Sequence, residues 1–216
     1  MAAIQRLIGL NVVLASNNIN TSSFTQYWFI KKGIIQENEF LPDSMFIPGL
    51  TNVSTQDCQI TILPDKIQFA LKNDSIEICE RCVREKFSKF VDVMDNISIN
   101  AIGLNFIWRV EDNSQSFHQF SKTLFCKDNA ISSFFAVDDA RYGAYFSKNY
   151  DEVTRLKLDI KPIHSKENGA IVEYLLASFN YHSDVNIDQM KDHLMGQLSK
   201  WSNLLKNSQE VVCLLK

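Results

Sequence analysis

Apolar and polar residues alternate with a period of two along much of the chain, and that period predicts strands. Near the start, Ile4, Ile8, Leu10, Val12 and Leu14 alternate with smaller or polar residues. Cys58, Ile60 and Ile62, then Ile67, Phe69 and Leu71, do the same on either side of Pro64-Asp65, which predicts a hairpin. Over residues 97–110 the apolar positions are odd up to Ala101 and even from Ile102 onward. A switch of face is therefore expected at Gly103, as a bulge or as a strand crossing between environments. Further strands are expected at 142–147 and 153–160, joined by a turn at Asn149-Tyr150-Asp151. Residues 170–181 are apolar on both faces, which predicts a strand inside the sheet. Residues 24–32 (FTQYWFIKK) have the same two-sided character and read as another buried strand.

A helical period appears in three places. Ile76, Cys79, Val83, Phe87, Phe90, Val91 and Met94 share one face of a helix over 75–94, with Asn73-Asp74-Ser75 as its cap. A short helix from about Ser114 carries Phe117, Phe120 and Leu124, between polar turns at Glu111-Asp112-Asn113 and Lys127-Asp128-Asn129. A last helix from about Asn186 buries Ile187, Met190, Leu194, Trp201 and Leu205, and residues 211–215 continue as a strand or a helical tail. The pattern as a whole predicts an α+β fold, one compact domain over 1–216 with a mostly antiparallel sheet covered by two long helices. Each half also runs hairpin, long strand, turn, helix. Two pseudo-repeated halves, 1–129 and 130–216, are the alternative organisation.

The segment 40–50 fits neither period. It holds six large apolar residues (Phe40, Leu41, Met45, Phe46, Ile47 and Leu50), while Pro42 and Pro48 bar it from a central strand or helix. Such a loop either pins itself to the domain's own core or docks a partner. Phe46 and Ile47, at its less interrupted centre, are expected to pack inward. Phe40 and Leu50, at its ends, are expected to meet a partner.

Composition narrows the function classes. The chain of 216 residues is 45% hydrophobic and 22% charged, as globular proteins are. Its net charge of -3 argues against a protein that coats nucleic acid, and the basic residues Arg81, Arg84, Lys86 and Lys89 are interleaved with Glu77, Glu80 and Glu85. No apolar run is long enough to span a membrane. Five cysteines, an odd number without dense spacing, read as reduced thiols of a cytoplasmic protein. The pair Cys79 and Cys82 lacks the second ligand pair of a structural zinc site, and Cys79 falls on the apolar stripe.

Catalytic patterns are sparse. The chain lacks G-x-S-x-G, P-loop and G-x-G-x-x-G patterns, and its four histidines have no metal spacing. One constellation remains. Asp159-Ile160-Lys161 ends a strand, with Asp138 and Asp139 about 20 residues upstream, and two carboxylates with a lysine can hold Mg²⁺ for phosphodiester cleavage. That pattern resembles the bipartite signature of restriction-type nucleases. The plainer reading of Asp159 and Lys161 is alternating charge on a wetted strand face. The sequence therefore predicts a non-enzymatic protein-binding or assembly module, without cofactor, that acts with a protein partner or as a homo-oligomer. Its binding residues are Phe40, Leu41, Met45, Phe46, Ile47 and Leu50; a metal-dependent nuclease using Asp138, Asp139, Asp159 and Lys161 is the alternative.

Overall fold

A computed structural model describes residues 4–73, 75–95, 97–112, 115–127, 129–167 and 169–215. Asp74, Asn113, Ser114 and Asp128, which the sequence places in caps and turns, lie outside these residues. Among the described residues, nine strands form one antiparallel sheet in the order β2-β3-β4-β5-β1-β6-β9-β8-β7. The strands are β1 (Ile4–Ser16), β2 (Met45–Ile47), β3 (Leu50–Ser54), β4 (Cys58–Leu63), β5 (Lys66–Leu71), β6 (Ile99–Glu111), β7 (Ala144–Asn149), β8 (Arg155–Glu167) and β9 (Ala170–Asp184). The architecture is thus α+β with an antiparallel sheet.

Period-two alternation decides which face is buried. Val12 and Leu14 of β1, Leu104 and Phe106 of β6, and Phe179 and Tyr181 of β9 point to one side and are fully or almost fully buried. Helices cover that side. The other side is open and carries small and polar residues, among them Asn11, Asn105 and Asn180, which lie opposite one another on β1, β6 and β9. Asn180 donates to the amide oxygen of Asn105 (2.6 Å), and Asn105 donates to that of Asn11 (2.8 Å). Gly103 stands beside this row, and a Cβ there would lie 2.9 Å from Nδ2 of Asn180. The face switch in β6 is real, but it falls earlier than Gly103. The register slips where Ala15 faces Ala101 and Ser16 faces Ile99, so Asn100 is the extra residue.

The helices are short. They are α1 (Gln26–Lys31), α2 (Ile76–Cys82), α3 (Ser88–Val93), α4 (Phe117–Phe125), α5 (Ala130–Phe134), α6 (Met190–Ser199) and α7 (Trp201–Val212), and none exceeds 12 residues among those described. The expected helix over 75–94 begins where Ser75 caps the amide of Ile78 (3.3 Å), but a π turn at Val83–Phe87 divides it into α2 and α3. The hydroxyl of Ser88 bonds the Val83 carbonyl (3.1 Å) within that irregular turn. The second expected helix breaks at Lys200 into α6 and α7. Helical backbone thus runs through residues 76–93 with a π turn inside it, while residues 190–212 are divided at Lys200. No helix among the described residues is long and apolar enough to cross a membrane.

Segment 24–32 is a correction. It forms α1 rather than a strand, because Thr25 caps the amide of Trp28 (3.2 Å). Helical spacing then lets Phe24 meet Trp28 edge-on, with ring centres 4.9 Å apart. Phe29, Phe69, Phe87 and Phe90 form the aromatic heart of that half of the core. In the other half, two buried polar groups tie a helix to the sheet. The indole of Trp108 donates to Ser208 (3.0 Å), and the hydroxyl of Tyr181 donates to Asn207 (2.8 Å), which pins α7 to β6 and β9.

Candidate docking edge and groove

The two edges of the sheet differ, and the difference locates the candidate site. Edge strand β2 is three residues long and is followed by the Pro48-Gly49 turn, where Gly49 has φ +84°. Proline and brevity both blunt an edge. Phe46 packs inward against Phe40 and Phe29, with ring centres 6.3 and 6.5 Å away. Alternation then turns Met45 and Ile47 outward, with Ile47 49% exposed. Two expectations change accordingly. Ile47 faces out rather than in, and Phe40 packs on the core instead of presenting itself to a partner. Leu41 and Leu50 are half-buried.

Edge strand β7 is six residues long and pairs with β8 in unbroken register from Ala144–Ile160 to Asn149–Arg155. It holds no proline and no bulge. Tyr145 and Phe146 are 63% and 53% exposed on its opposite faces. On the helix-covered face, the C-terminal ends of α4 and α7 border this edge around an apolar groove of about 440 Å³. Its floor is Leu156, Leu158 and Ile160 of β8; Phe125 and Leu214 form its flanks, and Phe146 and Lys148 form its rim. The aromatic surface continues beyond Phe125. Phe135 shares a second pocket with Phe125, Tyr142 and Gly143, and its carbonyl accepts from the Tyr142 hydroxyl (3.0 Å).

An ionic tie holds the approach to β7. The guanidinium of Arg141 donates to one oxygen of Glu173 from two nitrogens (2.8 and 2.9 Å), and His164 lies 3.1 Å from the same oxygen. Partial burial pushes the Glu173 carboxyl up, but His164 and Arg141 outweigh it and hold the pKa below the ordinary value. At the other end of β7, Asp151 accepts from the amides of Val153 and Thr154 and from Lys200 (2.8 Å). Partial burial would raise its pKa, but these donors lower it to about 2. The edge strand is thus clamped at both ends, to β9 and to the junction of α6 with α7.

The nuclease set is placed differently. Asp138 and Asp139 are exposed in the turn before Arg141, which the Glu173 contact ties toward the helix-covered face. Asp159 and Lys161 project from the open face and pair with each other (2.7 Å). These contacts do not bring the four residues together. Among the described residues, no group of three or more His, Cys, Asp or Glu is placed to hold a metal ion.

One pair that sequence reasoning passed over has the outline of a nucleophile and base. Ser183 and His193 lie 2.8 Å apart, Oγ to Nε2. The serine hydroxyl, however, has one proton, and the Val153 carbonyl accepts it at 2.7 Å. His193 therefore donates to the serine, the reverse of base activation. Ser183 is also buried. The pair fastens α6 to the β9 end and the turn before β8.

The expected 142–160 hairpin already sets Phe146 beside Leu158, but no spacing in the sequence brings Phe125 or Leu214 to them, and only the fold does so. The detectable signal was local: exposed aromatics in a short alternating run beside charged or polar positions. No protein-family model matches this chain, and no curated protein matches it either.

Proposed function

We propose that the chain is a non-enzymatic protein-binding or assembly module of the cytoplasm, and that its binding surface is the β7 edge with the adjoining apolar groove. The observation that supports this reading is an unbroken, proline-free edge strand bordering a 440 Å³ apolar groove. Exposed edges and contiguous apolar patches are costly to a protein that leaves them bare, and proteins commonly use them in contacts. Lys127 and Lys148 stand at the rims of the neighbouring pocket and of the groove. The segment 40–50 has a lesser part in this reading: only Met45 and Ile47 of its six apolar residues are exposed.

The test compares wild type with Phe146→Glu and Leu214→Glu, each tagged and expressed at native level in its own cell. Mass spectrometry of the co-purified material is expected to show protein partners or untagged self copies lost from both variants. Identical recovery from wild type and variants, with all three chains folded, would remove the groove from the account.

A further inference from the structure

We infer that the occupant of the β7 edge is a second copy of this chain, paired β7 to β7 about a two-fold axis, so that two nine-stranded sheets become one. The inference rests on the groove reading above and names its partner. Three observations carry it.

The first is the contrast between edges. A head-to-tail contact of β7 on β2 would propagate without closing, and β2 is too short and too close to Pro48 to serve. Of the two terminal strands of the sheet among the described residues, β7 is the longer and more regular, so pairing of β7 with itself closes at two copies. The second is register. In a two-fold antiparallel pair, facing residues must share a sheet face, and Ala144, Phe146 and Lys148 share the helix-covered one. Centring the axis on Phe146 sets that ring against Phe146 of the partner subunit, at the mouth of both grooves. Each Lys148 then faces Ala144 of the partner subunit, and the two lysines stand about 14 Å apart along the strand. No like charges meet.

The third is area. Tyr145 and Phe146, on the edge strand itself, are 63% and 53% exposed. At roughly 200 Å² per ring, two copies present about 460 Å² of aromatic surface on the paired strands. The groove walls and strand backbones supply the remainder of the roughly 1,200–2,000 Å² of a stable interface.

The test uses the full chain with Cys126→Ser and Cys213→Ser, which removes the two partly exposed thiols. Phe146→Cys is expected to give a disulfide-linked dimer under mild oxidation, since facing Cα atoms about 4.5–5.5 Å apart suit a disulfide. Lys148→Cys, far from its symmetry mate, is expected to stay unlinked. Sedimentation should give twice the chain mass for wild type and the single chain mass for Phe146→Glu. If Phe146→Glu fails to fold, the cysteine pair decides alone. A monomeric wild type, or equal linking of both cysteine variants, overturns the two-fold pairing. A monomeric wild type that still loses other partners through Phe146→Glu overturns this inference and leaves the groove reading standing.

Discussion

Substituting Gly103 by alanine should cost little or nothing by itself, but its effect should change sign when Asn180 is also removed. The new Cβ would lie 2.9 Å from Nδ2 of Asn180, too close for that amide to stay in place. Asn180 holds the end of the row that runs through Asn105 to Asn11, with bonds of 2.6 and 2.8 Å. Displacing it forfeits one hydrogen bond on a half-wetted face, roughly 0.5–1.5 kcal/mol. Replacing glycine by alanine at compatible backbone returns about 0.4–1 kcal/mol through the unfolded chain. In wild type, Gly103→Ala should therefore lie between neutral and about 1 kcal/mol destabilising. In an Asn180→Ala background the obstruction is gone, and the same change should stabilise by about 0.4–1 kcal/mol. A double-mutant cycle by urea denaturation should thus report coupling of about 0.5–1.5 kcal/mol. Equal effects in both backgrounds, within about 0.3 kcal/mol, would refute the claim that Gly103 exists to seat the amide row.

Other predictions probe other layers. Phe87→Ala, at a fully buried ring 4.3 Å from Phe69, should cost about 3–5 kcal/mol and lower Tm by several degrees; a loss below about 1 kcal/mol would place that ring outside the core. Asp151 has its folded pKa lowered to about 2 from 3.8, so its stabilisation is complete above about pH 4 and is lost as pH falls toward 2. Asp151→Asn should flatten the stability profile in that window, by about 1–2 kcal/mol after allowance for solvent screening, and an unchanged acid limb would contradict the clamp. Millimolar Mg²⁺ should leave Tm unmoved, because Asp159 is paired to Lys161 away from the Asp138–Asp139 turn; a rise that Asp159→Asn abolishes would restore the nuclease alternative.

Much of the sheet was legible because one buried face imposes a period of two. The 58–71 hairpin, the long β6 and β9, and the Ser75-capped helix follow directly from alternation, turn residues and caps. Segment 24–32 was misread because apolar residues on both faces fit a buried strand as well as a short helix, and only the Thr25 cap separates them. The β6 bulge falls at Asn100 because register depends on the partner strand, which the sequence of β6 alone does not contain. The 40–50 segment reads as an apolar loop, yet Pro48-Gly49 closes it into a hairpin that packs Phe46 against Phe29. Of the groove, only the β7–β8 hairpin was legible; the helix ends that complete it were not. The groove lies where β7, the last strand in the sheet order, meets the C-terminal ends of α4 and α7.

The most direct test of the β7 edge as a contact surface is amide hydrogen exchange along the chain at low and high protein concentration. Outward-facing amides of residues 144–149 should become protected as concentration rises, while those of residues 45–47 should exchange at the same rate throughout. Protection at 45–47 instead, or no change at 144–149 in a sample that sedimentation shows to be dimeric, would contradict the account.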